Sequence, residues 1–340
     1  MKKRGTEMYP QGSLHSLVVE GNSLSSNLLG DDTVRRVDVY IPAGHDGQGL
    51  PLLVDLAGFT SSSLAHVGWR NYGENLPERL DRLIGSGVMA PVVMAFPDSF
   101  TRLGGNQFVN SAAIGNWEDF LTGEMLSAIE GRFGCGGAGK RGLFGRSSGG
   151  YGSIIHGMRY GGDVWSAVAC HSGDMDFPLM YRNEFCSVLR TLEKYDFSIK
   201  AFMENFEKGP KASGSDWMTL MLLAQCASFD PDPGQYLGIR LPVTTDTCEL
   251  IEERWSNWLH WDPLVMVDLP ENAGRLKNLK CLFIDCGTQD QYNLLYGARI
   301  MHRKLEQQGI PHVYEEFPDN HSSLDYRFDR SWPLMAKALS

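Results

Sequence analysis

Seven short strand-like runs, most of them nearly continuously apolar and separated by longer amphipathic stretches, restrict the fold of this chain more than any other feature of its sequence. Near-continuous apolar runs of this length are typical of strands that are covered on both faces of a sheet. Between several of them the apolar residues recur with the period of a helix, most clearly over residues 117–133 and 292–309. The alternation of strand and helix predicts an α/β protein with a mostly parallel central sheet flanked by helices. The predicted strands span residues 34–42, 51–58, 91–98, 141–145, 164–172, 279–287 and 312–318.

One long segment, residues 177–277, interrupts this alternation, because it is far longer than an ordinary connection between two strands. We therefore expect an α/β core formed by residues 1–176 and 278–340, with residues 177–277 as a helical, cap-like insertion. The insertion holds four of the eight tryptophans, which either hint at an apolar or aromatic acyl pocket or simply pack in its interior. They are Trp217, Trp255, Trp258 and Trp261.

A serine stands between glycines where a predicted strand gives way to a predicted helix. Gly145, Ser147 and Gly149 form the pattern G-x-S-x-G directly after the strand-like run over residues 141–145. In a nucleophile elbow the serine occupies such a strained strand-to-helix turn, and glycines flank it because side chains there would clash with neighbouring backbone. The start of the following helix favours the negative charge that develops during attack. The pattern predicts a nucleophilic Ser147, and the alternative is a glycine-rich turn needed only for packing.

A serine nucleophile needs a base and an acid that orients the base. In a fold with this elbow the acid and then the histidine follow the serine along the chain. His321 comes just after the last predicted strand, on the sheet edge where Ser147 should emerge, and is the predicted base. Asp290 lies on the loop after the next-to-last strand and is the predicted acid, since it could hold His321 in the tautomer that accepts the serine proton.

Other aspartates and histidines compete for these two roles. Asp285 lies within a predicted strand, so its side chain is expected to face one side of the sheet, and we rank it second. Asp319 ranks third, because two residues leave too little chain for it to reach the imidazole of His321. Among the histidines, His171 precedes every plausible acid and His156 lies inside the helix after the elbow.

Two backbone amides are predicted to form an oxyanion hole. One belongs to Ser148, the residue after the nucleophile. The other should come from the loop after the predicted strand at 51–58, where the amide of Phe59, just after Gly58, is the best candidate.

Taken together, five stretches occur in the order expected of one known family: "DLAGFTSS", "NSAAIGNWEDFLTGEML", "GRSSGGYGS", "GTQDQYN" and "DNHSSLDY". In these stretches the chain resembles the putative-esterase branch of the α/β-hydrolase superfamily. That branch includes S-formylglutathione hydrolases, feruloyl esterases, enterochelin-esterase-like proteins and mycolyltransferases. The resemblance implies an α/β-hydrolase fold, with Ser147 as nucleophile, Asp290 as acid, His321 as base, and the amides of Phe59 and Ser148 as oxyanion hole.

The chain departs from this family in two places. The insertion at residues 177–277 is larger than compact members have there, so the acyl pocket is not carried over from them. Arg146, beside the serine, occupies a position that is often a histidine or another residue. We expect it to form a salt bridge on the flank of the elbow rather than to bind substrate.

Composition narrows the partners and the cellular location. A formal net charge of −10 argues against a nucleic-acid partner.

The basic start lacks the apolar run of a secretory signal, and no segment has the ~18 consecutive apolar residues of a membrane span. The seven cysteines are odd in number and form no C-x-x-C pair, so we expect buried reduced thiols and a cytoplasmic protein. Neither a metal site nor a cofactor site is predicted. The oligomeric state is left open, with a homodimer as one alternative because relatives often form dimers.

The leading hypothesis is a serine carboxylesterase that cleaves short-acyl or aromatic-acyl esters through an acyl-enzyme. An acyltransferase with the same three residues is an alternative, since a capped, dry site could exclude water. An S-formylglutathione-type thioesterase is another. A binding protein built on a hydrolase fold is a third reading, because fold alone never fixes function.

Overall fold

The computed structural model describes residues 9–340, and its centre is an eight-stranded sheet with the strand order β1-β2-β4-β3-β7-β8-β9-β10. From β4 and β3 through β10 all neighbouring strands are parallel, whereas β1 and β2 form an antiparallel edge. The strands β5 and β6 make a separate small hairpin. The strands are β1 (Ser13–Glu20), β2 (Val34–Ile41), β3 (Leu52–Leu56), β4 (Val93–Pro97), β5 (Asn110–Ser111), β6 (Gly115–Asn116), β7 (Arg141–Arg146), β8 (Ala167–His171), β9 (Cys281–Gly287) and β10 (Val313–Phe317).

Helices cover both faces of this sheet. A π-helical turn at Phe120–Met125 joins α2 to α3, so the single helix predicted over residues 117–133 is irregular in its middle. The helices are α1 (Leu76–Gly85), α2 (Trp117–Asp119), α3 (Leu126–Phe133), α4 (Ser148–Tyr160), α5 (Phe177–Met180), α6 (Phe185–Leu192), α7 (Ile199–Lys208), α8 (Gly214–Phe229), α9 (Glu252–Leu259), α10 (Pro263–Met266), α11 (Pro270–Lys277), α12 (Leu294–Gln307) and α13 (Phe328–Leu339).

The two faces of the sheet pack into two separate hydrophobic clusters. On strand β7, Leu143 belongs to the cluster under α4, while the next residue, Phe144, belongs to the cluster under α13. Phe144 meets the rings of Phe328 and Trp332 on α13 edge-on, each at 5.2 Å between ring centroids. Burial on both faces is the reason that the central strands read as continuous apolar runs. The predicted fold class, a mostly parallel sheet flanked by helices, is confirmed.

The segment predicted as an insertion contains α5 to α11, and its aromatic residues share the main core. Trp258 on α9 is fully buried, and its ring lies 5.3 Å from Phe229. Phe229 in turn lies 5.6 Å from Tyr151 on α4, so the aromatic layer of the insertion continues into the helix that follows the elbow. Trp255 is also buried, whereas Trp217 is 42% exposed. These contacts favour a structural role for the buried tryptophans.

We predict that Trp258→Ala lowers the free energy of unfolding of the whole molecule by about 3–5 kcal/mol, because it leaves a large cavity in a layer shared with α4. Urea unfolding followed by circular dichroism measures the loss. Trp217→Ala, which removes the same side chain from an exposed position, is the matched control and should cost less than about 1 kcal/mol. A separate early transition in Trp258→Ala would show instead that the insertion unfolds independently of the core.

Candidate active site

The predicted elbow has a strained backbone at Ser147. This residue lies between the end of β7 and the start of α4, with φ 56° and ψ −127°, a conformation that non-glycine residues rarely adopt. Its amide donates to the carbonyl of His171 at 3.0 Å, and its carbonyl accepts from the amide of Tyr151 at 2.8 Å. The turn is therefore fixed from β8 on one side and from α4 on the other.

The flanking glycines are required because the end of β3 lies against the elbow. A Cβ atom added at Gly149 would lie 1.8 Å from the carbonyl oxygen of Leu56, and one added at Gly145 would lie 2.4 Å from the same atom. Gly58, two residues further along, also lies beside the elbow, since its Cβ would come within 3.4 Å of Ser147 Cβ. The loop that carries Phe59 therefore starts next to the serine.

His321 and Asp290 meet on neighbouring loops at the carboxyl end of the sheet. His321 Nδ1 lies 2.7 Å from Asp290 Oδ2, and the amide of Tyr292 donates to Asp290 Oδ1 at 2.9 Å. The Asp290 side chain is fully buried, while that of His321 is 13% exposed. The two loops are tied together by the amide of Thr288, which donates to the carbonyl of Phe317 at 2.8 Å. This arrangement holds Nδ1 of the imidazole on a buried carboxylate.

The two competing aspartates have other partners. Asp285 is buried on β9, where its carboxylate lies 2.8 Å from His171 Nδ1 and accepts from Arg327 Nε, also at 2.8 Å. Asp319 accepts a hydrogen bond from the hydroxyl of Tyr326 at 3.0 Å. Neither is paired with His321.

An array of serine, histidine and aspartate that is closed to solvent lies inside the fold. His171 Nε2 lies 2.9 Å from Ser331 Oγ while its other ring nitrogen binds Asp285, which reproduces the order of contacts in a catalytic triad. All three side chains are at most 1% exposed. His66 and Asp55 form a further buried pair, 2.5 Å apart. Burial opposes protonation of His66, but the neighbouring Asp55 outweighs it and raises the pKa of the imidazole.

Exposure and position separate His321 from these two pairs. The side chains of His66 and His171 are 5% and 1% exposed, against 13% for His321. A catalytic base must reach a substrate, and these two buried pairs are less accessible than His321. The order of residues along the chain already ranked His171 below His321 as a candidate base, whereas the burial of His171 is visible only in the fold.

A buried carboxylate that the sequence did not single out lies beside the elbow. Asp174, three residues after the end of β8, is 1% exposed and accepts a hydrogen bond from the hydroxyl of Tyr181 at 2.8 Å. Its Oδ1 atom has no hydrogen-bond partner among residues 9–340. The only signal in the sequence is its position, on a loop at the carboxyl end of a parallel strand.

The surroundings of Asp174 connect it to the predicted site. Burial is the largest influence and raises the pKa of this carboxyl to about 6. The hydroxyls of Tyr181 and Ser148 and the charge of His321 pull in the opposite direction, whereas Asp290 adds to the rise. The hydroxyl of Ser148 and the charges of His321 and Asp290 all act on this carboxyl, so Asp174 belongs to the electrostatic surroundings of the candidate site.

The side chain of Ser148 is held by the protein. Gln107 Nε2 donates to Ser148 Oγ at 2.9 Å, in a buried position. Because Ser148 is the first residue of α4, its backbone amide has no partner within the helix. The hydroxyl is thus bound by Gln107, whereas the amide has no acceptor within α4.

Arg146 has the salt bridge expected on the flank of the elbow. Its Nε atom lies 3.7 Å from Asp325, which also pairs with Arg70 at 2.6 Å. Burial tends to raise the pKa of Asp325, but Arg146, Arg70 and His66 together lower it. The carboxylate stays charged and anchors the loop after His321 to the elbow.

Across residues 9–340, no three side chains of histidine, cysteine, aspartate or glutamate are grouped so that they could hold a metal ion. Over the same residues, no helix has both the length and the apolar character needed to cross a membrane.

One known protein family matches most of the chain. Residues 26–329 match the model of the family described as "Putative esterase". No curated protein is significantly similar to the chain.

Solved structures share the fold at low sequence identity. The chain is similar to a ferulic acid esterase, with 16% identity, a TM-score of 0.63 and coverage of 96% of this chain and 99% of that one. A fluorophosphonate-binding serine hydrolase of Staphylococcus aureus has 15% identity, a TM-score of 0.58 and coverage of 96% and 99%. An S-formylglutathione hydrolase from Agrobacterium tumefaciens has 12% identity, a TM-score of 0.58 and full coverage of both chains. These likenesses show the α/β-hydrolase fold.

We predict that Asp174 makes stability depend on pH. Because its pKa is raised from an ordinary 3.8 to about 6, the native state keeps a proton that the unfolded chain has lost in this range. Stability therefore falls as the pH rises through this window, by on the order of 3 kcal/mol for the full shift. Asp174→Asn should remove that loss, and urea midpoints measured at pH 4 and pH 8 test it.

Tyr181→Phe is the companion variant for this prediction. It removes the hydroxyl that lowers the pKa of Asp174, so the fall in stability should move to higher pH. Parallel pH profiles for the wild type, Asp174→Asn and Tyr181→Phe would contradict the assignment of the titration to Asp174.

Proposed function

The chain belongs to this esterase family of the α/β-hydrolase superfamily, and we propose that it hydrolyses carboxylic esters with Ser147 as its nucleophile. It is a serine-type carboxylic ester hydrolase whose substrate is a small-molecule ester. The observation that carries the assignment of residues is the 2.7 Å contact between His321 and Asp290, at the same edge of the sheet as the strained elbow of Ser147.

In the first step Ser147 Oγ attacks the ester carbonyl while His321 Nε2 takes its proton. Asp290 accepts a hydrogen bond from Nδ1–H of His321, which fixes the tautomer and stabilises the imidazolium that forms. The imidazolium then gives the proton to the leaving alcohol, and the acyl group stays on Ser147. Water repeats the sequence and releases the acid.

The amides of Phe59 and Ser148 stabilise the negative charge on the carbonyl oxygen in both steps. The close approach of Gly58 to Ser147 supports the first assignment, since it brings the start of the Phe59 loop to the elbow. The start of α4 supports the second, because the amide of Ser148 has no acceptor within the helix. Each donor of this kind lowers the activation free energy by on the order of 3 kcal/mol.

Asp174 is a positioning residue for this site. The hydroxyl of Tyr181 donates to its carboxylate, and the side-chain amide of Gln107 donates to the hydroxyl of Ser148, the first residue of α4.

The acyl group that we propose is short or aromatic. Tyr292 presents its ring at right angles to His321, with 4.9 Å between ring centroids, and the ring of Phe59 packs against Gly104 and Gly105. These rings, rather than the buried Trp255 and Trp258, are the apolar groups near the proposed site. The segment 177–277 would act as a cap-like insertion that limits the size of the acyl group.

The proposal also covers the partners, the cellular location and the assembly of the protein. A net charge of −10 supports a protein without nucleic-acid partners, and the seven free cysteines support a reducing, cytoplasmic location. A homodimer is the assembly to test first by light scattering.

We predict that Ser147→Ala lowers kcat for a short p-nitrophenyl ester by a factor on the order of 10⁶, and that Asp290→Asn lowers it by about 10⁴. Labelling with a fluorophosphonate probe should be lost in Ser147→Ala. Steady-state kinetics and gel fluorescence measure the two effects.

Ser331→Ala is the matched control, since it removes the hydroxyl of the buried array that has the same contacts. It should keep the probe labelling and most of the activity, at a stability cost of about 1 kcal/mol. Full activity in Ser147→Ala together with lost activity in Ser331→Ala would reverse the assignment.

We also predict that water, rather than an alcohol, resolves the acyl-enzyme. With methanol added to the assay, the free acid should remain the main product for p-nitrophenyl, feruloyl and S-formylglutathione substrates. Chromatography of the products checks this, and an excess of methyl ester in every case would favour the acyltransferase.

A further inference from the structure

Two thiols that are far apart in the sequence meet on the surface of the segment 177–277. Cys186 Sγ on α6 and Cys248 Sγ, on the turn before α9, lie 3.7 Å apart although 62 positions separate the residues. Cys186 is exposed and Cys248 is half-buried. The expectation of buried thiols holds for Cys135, Cys170, Cys226 and Cys286 but is wrong for Cys186.

The turn that carries Cys248 is firmly held. A β-bridge between Val243 and Leu250 closes its base, and the amide of Cys248 donates to the carbonyl of Thr244 at 3.1 Å. The backbone of Cys248 is in the left-handed region, with φ 57°, a conformation that few non-glycine residues adopt. Arg182 ties the turn to the start of α6, since its Nη2 donates to the carbonyl of Cys248 at 2.9 Å. The approach of the two sulfur atoms is thus supported by the surrounding hydrogen bonds.

From this geometry we propose that Cys186 and Cys248 form a reversible thiol–disulfide site, which reacts with small disulfides and staples α6 to the turn before α9. The sulfur atoms need to approach from 3.7 Å to the ~2.0 Å of a disulfide bond, a change within reach of side-chain rotation. This inference does not rest on the proposed esterase function.

The access and the charges around the pair indicate the order of the reaction. A surface cavity of about 370 Å³ adjoins both thiols, with room for a small reagent. Burial, and then the neighbouring Cys186, raise the pKa of the Cys248 thiol, while the guanidinium of Arg182, 3.8 Å from its sulfur, acts in the opposite direction. Cys186 is the more exposed thiol and is therefore the first to react.

The chemistry balances with a low-molecular-weight disulfide as the oxidant. The Cys186 thiolate attacks one sulfur of that disulfide, forms a mixed disulfide and releases one small thiolate. The Cys248 thiolate then attacks Cys186 Sγ, which forms the internal bond and releases the second small thiolate. Two protons leave the protein thiols and two electrons reduce the reagent, and an excess of dithiol reverses both steps.

Oxidation should stabilise the fold, because it closes a long loop in the unfolded chain. The staple also restrains Tyr181, which lies five positions before Cys186 and binds Asp174. In a reducing compartment the two thiols stay reduced, and under oxidative conditions they form the disulfide.

The test uses the whole reduced protein and oxidised glutathione. We expect the free thiols, counted after denaturation, to fall from seven to five, with the loss of two hydrogen atoms in the intact mass and a Cys186–Cys248 cross-link in the peptide map. The melting temperature without reductant should rise by several degrees.

Three variants test the order of the two steps and the specificity of the Cys186–Cys248 pair. Cys248→Ser should stop at a stable mixed disulfide with glutathione on Cys186, and Cys186→Ser should stay largely unmodified, whereas Cys281→Ser should behave as the wild type. Seven free thiols in the treated wild type, a lasting glutathione adduct in place of the internal bond, or a cross-link between other cysteines would each overturn the inference.

Discussion

The close approach of the end of β3 to the elbow is the constraint on which the rest of the site depends. The carbonyl oxygen of Leu56 occupies the space that a side chain at Gly145 or Gly149 would need. This contact lets the chain turn from β7 into α4 with Ser147 in a strained conformation, and it also brings Gly58 to the serine. The strained turn at Ser147 and the neighbouring start of the Phe59 loop, two parts of the proposed site, thus depend on one packing contact.

The three pairs of histidine and aspartate show that hydrogen-bond geometry alone does not define a catalytic site. His171 binds a serine on one side and an aspartate on the other, as the base of a triad would, yet all three side chains lie inside the fold. In that position the contacts satisfy buried polar groups that would otherwise destabilise the protein. His321 differs in being partly exposed at the carboxyl end of the sheet, where the loops of a parallel sheet meet.

The sequence predicted the parts of this structure that leave a strong local pattern. All seven predicted strands exist, and the central ones were recognisable because burial on both faces produces continuous apolar runs, whereas β1 was missed because it is an edge strand whose residues are mostly exposed. The pairing of Asp290 with His321 followed from the order of loops along the chain. Asp174 and the Cys186–Cys248 contact could not be predicted, since burial and distant approach arise only in the folded chain.

The long segment between β8 and β9 is best understood through its contacts rather than its length. Its aromatic layer runs through Phe229 to Tyr151 on α4, and its Tyr181 reaches Asp174 beside the elbow. A change in the position of this segment must therefore disturb either the packing of α4 or the polar contacts around Ser148. Because α4 begins at Ser148, both disturbances act on the same helix terminus. The segment is thus coupled to the start of α4 through an apolar path and a polar one.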